Sequence, residues 1–117
     1  MEMDLSIAVR SVEGFPVIDL GGELDAYTCG RLRDTMIEVI EEGNPTVIVS
    51  MVKVEYIDSS GLGTLVGGLK RASEHNGKIA IVCTNPQIKK VFEITGLVRV
   101  FTIYDSEEDA ARDLKSI

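Results

Sequence analysis

The chain of 117 residues has one histidine, two cysteines and no tryptophan. Each scarcity narrows the chemistry available. A serine nucleophile would have only His75 as its imidazole base. Cys29 and Cys83 stand far apart with no second ligand beside either, so they read as two reduced core thiols rather than a disulfide or a metal site. Basic residues are also in deficit, with 12 lysines and arginines against 19 acidic residues and a formal net charge of −7. That balance excludes a nucleic-acid partner, for which a Lys/Arg cluster must neutralise phosphates. The adjacent basic pairs, Lys70-Arg71 and Lys89-Lys90, read as solvated helix faces. No apolar run approaches the ~20 residues of a membrane span. The stretch Met1-Glu2-Met3-Asp4 is acidic where a signal peptide is basic. These absences predict a cytoplasmic protein without a membrane partner. There is no repeat, low-complexity tract or linker, so residues 1–117 are expected to form one domain, burying roughly 65% of the unfolded surface.

What is present is a regular alternation of strand and helix patterns. Residues 5–10 alternate apolar and polar as a half-buried strand, Glu13-Gly14 supplies a hairpin turn, and residues 15–20 form a second strand. Gly21-Gly22 breaks that pattern. Asp25 or Thr28 is placed to cap a helix whose apolar stripe is Leu32, Met36, Val39 and Ile40, stopped by Gly43-Asn44-Pro45. Thr46 to about Met51 reads as the next strand, its continuous apolar core Val47-Ile48-Val49 suggesting burial on both faces. A helix follows from residue 58 to about His75-Asn76-Gly77. Residues 78–83 make another strand, and Asn85-Pro86 caps a short helix ending at Gly96. Val100 to Tyr104 reads as a last strand, and Ser106 opens a terminal helix with acidic residues in its first turn. The order β-β-α-β-α-β-α-β-α predicts an α/β fold: a mixed, mostly parallel sheet of about five strands with four helices. Its interior should hold Val47, Ile48, Val49, Leu62, Leu65, Val66, Leu69, Ile79, Ile81, Val91 and Phe92.

The chain is organised around Tyr56-Ile57-Asp58-Ser59-Ser60-Gly61-Leu62-Gly63, which joins the third strand to the helix carrying Leu62, Leu65, Val66 and Leu69. Asp58, Ser59 and Ser60 therefore fall where backbone N–H groups lack partners and the helix dipole favours negative charge. A hydroxyl there can be a cap, a nucleophile or a phosphate acceptor. Gly61-x-Gly63 does not make a nucleotide loop, because the third glycine, Gly67, comes one residue late and no Gly-Lys-Ser/Thr follows. Nucleophilic catalysis fails on distance: a rise of 1.5 Å per residue puts His75 ~24 Å along the helix from Ser59. No enzyme activity, metal or cofactor is therefore expected. Capping alone leaves the glycines unexplained, since Gly63, Gly67 and Gly68 each cost up to ~1 kcal/mol relative to alanine in a helix interior. Gly63 and Gly67 lie four apart on one face, a bare strip suited to close approach by another element or a partner.

The run from Tyr56 to Gly63 resembles the phosphorylation motif of bacterial anti-sigma factor antagonists, the free-standing members of the STAS domain family. Gly22-Glu23-Leu24-Asp25 and the stretch from Asn85-Pro86 to Val91-Phe92-Glu93-Ile94-Thr95-Gly96-Leu97 resemble that family too, in the same order. At Ser50 the chain departs from it, since members often carry an aspartate in the third strand. The resemblance implies a STAS-like fold over nearly the whole chain and a partner-switching role. An anti-sigma factor that is also a serine kinase would bind the unphosphorylated form and release its sigma factor. The serine after the motif's aspartate, Ser59, would accept the phosphate and end that binding, and a separate serine phosphatase would reverse it. Glu23, Asp25, Asp58, Ser59, Ser60, Gly61, Gly63 and Gly67 are the expected partner-binding residues. The alternatives are a STAS module that scaffolds a signalling complex without sigma-factor control, and a ligand-binding STAS domain of transport or lipid traffic.

Overall fold

Glu13 and Gly14 adopt φ angles of 51° and 89°, the left-handed pair that a two-residue hairpin turn requires. The turn joins β1 (Leu5–Val12) to β2 (Phe15–Leu24), paired antiparallel from Leu5↔Gly22 to Val12↔Phe15. The computed structural model describes residues 4–116. It continues with α1 (Cys29–Glu41), β3 (Val47–Ile57), α2 (Ser59–Glu74), β4 (Ile79–Val82) and α3 (Pro86–Ile94). A 3₁₀ turn (Leu97–Arg99), β5 (Ile103–Tyr104) and α4 (Glu107–Lys115) complete it. The strands form one mixed sheet in the order β1-β2-β3-β4-β5, parallel throughout except for the first pair.

Alternation along the strands sends side chains to two unequal cores. Leu20, Val49, Met51 and Ile81 meet Leu32 and Met36 of α1, Leu65 of α2 and Phe92 of α3. Val17, Ile48, Ala80 and Val82 meet Ala110 and Ala111 of α4 on the opposite face. The small alanines let α4 lie close to the sheet. β3 is buried from Val47 through Met51, feeding both cores as its apolar run Val47-Ile48-Val49 predicts.

Several expectations need correction. β2 does not stop before Gly21-Gly22 but runs through them to Leu24, with register shifts against β3 between Asp19 and Gly21 and between Gly22 and Glu23. Gly22 sits at φ 97°, where a Cβ would lie 2.1 Å from the Asp4 carbonyl oxygen. The glycine marks a close approach inside the strand rather than a break. β3 extends to Ile57, past the end of β4, because the longer β2 continues to pair with it. The last strand shrinks to Ile103–Tyr104. Ahead of it the chain is helix-like, with the Val100 and Phe101 N–H groups both donating to the Leu97 carbonyl. That twist buries Phe101 edge-on against Phe92, ring centroids 6.1 Å apart, and leaves Val98 and Val100 exposed.

Val66, expected inside, is 40% exposed, and Leu69 and Val91 are only half-buried against the core. The buried stripe of α2 is Gly61, Leu62, Leu65, Gly68 and Ala72. It is rotated toward the glycines because Gly68 rests on Met36 of α1, where a Cβ would lie 2.5 Å from the sulfur. The remaining expected core residues are buried.

Candidate functional site

Asp58 links the end of β3 to two other pieces of chain. It is the extended N-cap of α2, and its Oδ1 accepts the Gly61 N–H at 3.0 Å. Its Oδ2 accepts the Ala26 N–H at 3.2 Å, and its own N–H donates to the Leu24 carbonyl at 3.2 Å. One carboxylate thus fixes the first turn of α2 against the β2–α1 loop. Gly61 completes the joint from beneath. It is buried, and a Cβ there would stand 2.6 Å from the Leu24 carbonyl oxygen.

The β2–α1 loop is held by its own polar side chains. Asp25 Oδ1 accepts the N–H groups of Tyr27 at 2.9 Å and Thr28 at 3.1 Å. The buried Thr28 hydroxyl donates to the Glu23 carbonyl at 2.8 Å and accepts the Asp25 N–H at 2.9 Å. Thr28 is the residue before α1, but its side chain makes no capping bond, and Asp25 closes a turn rather than a helix end. Glu23 lies beside Tyr56 in the β2–β3 register. Glu23, Asp25, Asp58, Ser59 and Ser60 are therefore gathered at the carboxyl ends of β2 and β3, the side where open α/β sheets place their sites.

With Asp58 as the cap, the two serines are freed from that duty. Ser59 is exposed on the first residue of α2, and Ser60 is half-buried beside it. The N–H groups of this first turn point outward with the positive end of the helix dipole, an environment that accommodates an anion. His75 is the C-cap at the other end of α2. No group of three or more histidine, cysteine, aspartate or glutamate side chains suited to a metal ion occurs among the described residues. Cys29 and Cys83 are both free, and burial pushes the Cys83 thiol pKa above its ordinary value.

Gly63 and Gly67 do not serve packing within the domain. A Cβ on either would meet nothing within 4 Å, whereas Gly68 and Gly61 are the close contacts. The first two line an open groove of about 380 Å³ between α1 and α2, walled by Arg33, Met36 and Ile37 and reaching Ser60 and Arg71. Sequence reasoning missed two features. Tyr27 is 95% exposed on the rigid loop next to Asp58, and Tyr56 is 49% exposed beside Glu23. No periodicity distinguishes an exposed aromatic in a short loop from a buried one.

Ser50 lies apart from this site. It is buried, and the strand alternation turns it to the α4 face, in register with Asp19 and Val82. There Arg10 bridges Asp19 at 3.3 Å and Glu107 of α4, with one Arg10–Glu107 contact at 2.6 Å. Arg10 holds the Glu107 carboxyl below its ordinary pKa, and the Ser50 hydroxyl acts in the same direction.

Residues 6–110 match the family described as "STAS domain". The chain is 30% identical to an anti-sigma F factor antagonist of Paenibacillus polymyxa over 116 residues, 98% of this chain and 99% of the relative. It is 33% identical to an anti-sigma-B factor antagonist of Staphylococcus epidermidis, covering 91% of this chain and 98% of that one. Among solved structures it resembles the anti-sigma factor antagonist SpoIIAA in its unphosphorylated form, with TM-score 0.73, 25% identity and coverage of 96% and 100% of the two chains. The phosphorylated form of SpoIIAA, from Bacillus, superposes with TM-score 0.71 at 25% identity, covering 93% and 99%.

Proposed function

The chain belongs to the STAS domain family, and from that premise we propose that it is an anti-sigma factor antagonist switched by phosphorylation at Ser59. The observation that carries this reading is the division of labour at the start of α2. Asp58 alone caps the helix and ties it to the β2–α1 loop, which leaves the Ser59 hydroxyl exposed on a fixed backbone. A kinase can reach such a hydroxyl without unfolding anything, and the helix terminus tolerates the anion that results.

In the unphosphorylated state Glu23, Asp25, Ser59, Ser60 and the bare strip of Gly63 and Gly67 form the contact surface. Asp58 and Gly61 shape it from within. The partner is an anti-sigma factor that is also a serine kinase, and a serine phosphatase resets the chain. The chain itself acts by binding and is not an enzyme. Residues 1–117 work as one STAS unit in the cytoplasm; among the described residues no helix is long and apolar enough to cross a membrane.

The test is incubation with the cognate anti-sigma kinase and ATP, followed by phosphopeptide mapping. One phosphate on Ser59, absent from Ser59→Ala, is the expected result. Phosphate on Ser60 alone, or none, would overturn the assignment.

A further inference from the structure

The sheet protects its two edges unequally. β5 is only two residues long, while β1 offers eight. A long strand edge is ordinarily blunted by lysine, proline or a bulge. β1 reads Leu-Ser-Ile-Ala-Val-Arg-Ser-Val, pairs with β2 without a register shift, and has none of these devices. Its one charge, Arg10, is drawn onto the α4 face by Asp19 and Glu107. Val9 is 52% exposed.

The direction of the free backbone groups follows from the hairpin. The Glu23 N–H donates to the Asp4 carbonyl, and the pairing runs unbroken to Val12↔Phe15. Even-numbered residues of β1 therefore turn their N–H and C=O groups toward β2, and odd-numbered ones turn theirs outward. The Leu5 N–H, facing out, is taken by the Asp4 side chain at 2.7 Å. Among the described residues, Ile7, Val9 and Ser11 present the open ladder.

We propose that β1 pairs antiparallel with β1 of a second copy of this chain, about a two-fold axis at Ala8, to make a continuous ten-stranded sheet across the dimer. The occupant is specified by self-complementarity. An axis at Ala8 sets Ile7 opposite Val9 of the second copy twice, matching apolar side chains on one face and hydrogen-bonding groups in the ladder. It sets Ala8 against Ala8 and Arg10 against Ser6 on the other face. Shifting the axis to Val9 would instead place Ile7 opposite Ser11, and shifting it to Ile7 would place the buried Leu5 opposite Val9. The charges at the strand ends are already paired within each chain, Asp4 with Arg31 at 3.0 Å and Glu13 with Lys115. That limits repulsion between two copies of net charge −7. Because the two β1 strands run in opposite directions, the Ser59 ends of the protomers point to opposite ends of the joined sheet. Both stay free, so dimer formation neither needs nor blocks the proposed switch.

The test is an oxidation series on the full chain. Residues opposed across a non-hydrogen-bonded pair have Cα atoms ~4.5 Å apart, within disulfide range. Ala8→Cys should cross-link to a dimer under mild oxidation. Ser6→Cys and the parent chain, which keeps Cys29 and Cys83, should not. Adding Val9→Lys to Ala8→Cys should abolish the cross-link. In the parent chain the Ile7 and Val9 amides should exchange with deuterium at least about tenfold more slowly at high than at low concentration, as paired edge amides do. Equal cross-linking of Ala8→Cys and Ser6→Cys, or amide exchange at Ile7 and Val9 independent of concentration, would overturn the proposal.

Discussion

Two glycines in α2 separate structural from functional demands. Gly61 has the Leu24 carbonyl oxygen where its Cβ would be. Gly61→Ala should therefore destabilise the fold by ~1–3 kcal/mol, the usual cost of forcing extra volume into a packed site. Gly67 faces open space in the same helix. Gly67→Ala should stabilise by up to ~1 kcal/mol through helix propensity alone. Urea denaturation of the two variants checks both signs, and a destabilised Gly67→Ala would mean that the groove is closed in solution. Both residues belong to the contact set expected from the sequence, yet only Gly63 and Gly67 face outward. The sequence pattern could not separate them, because a glycine's burial depends on what the fold brings opposite it. Asp58 was legible as part of the motif. Its second bond, to the Ala26 N–H, was not, since it joins residues 32 apart in the chain.

At the scale of elements, the apolar stripe of α2 was legible in outline but rotated in detail. Leu65 is fully buried, and Leu65→Ala should cost ~2–5 kcal/mol. A loss below ~1 kcal/mol in a denaturant titration would contradict its place in the core. The order of elements along the chain and the caps of α3 and α4 were readable because alternation, Asn85-Pro86 and Ser106 act locally, whereas neither Asp25 nor Thr28 caps α1 with its side chain. Strand ends were not, because β3 is prolonged by β2 through two register shifts and β5 is cut short by the burial of Phe101. The attachment of α4 to β1 was also invisible, since Arg10 and Glu107 are 97 residues apart. This attachment has a pH signature. The Arg10 hydrogen bond holds the Glu107 carboxyl below its ordinary range in the fold, so its contribution is present above the unfolded value and is lost as pH falls through the folded one. Arg10 is 43% exposed, which limits the pair to about 1 kcal/mol or less. Glu107→Gln should lower stability by that amount at neutral pH and by progressively less as pH falls below the ordinary carboxylate range, converging with the parent chain. Thermal unfolding across that range checks it, and a parallel offset at every pH would contradict it.

Over the whole molecule, the site occupies one end of a fold that has little reason to rearrange when charged. A phosphate on Ser59 carries nearly two negative charges at pH 7 and sits where the α2 dipole already favours an anion. On the proposed reading, the switch would then act on the partner rather than on the fold. If the partner presents one carboxylate ~6 Å away, at an effective dielectric of ~40, it would contribute ~1.4 kcal/mol per unit charge, or ~2.8 kcal/mol for the dianion. That is about a hundredfold in affinity, with steric exclusion from the Gly63 and Gly67 strip added to it. The most direct test is calorimetric titration of the cognate anti-sigma kinase with unphosphorylated and Ser59-phosphorylated protein under identical salt. A loss of about a hundredfold or more on phosphorylation, with Ser59→Ala binding as tightly as the unphosphorylated chain, is the expected result. Equal affinity of the two forms would contradict the account.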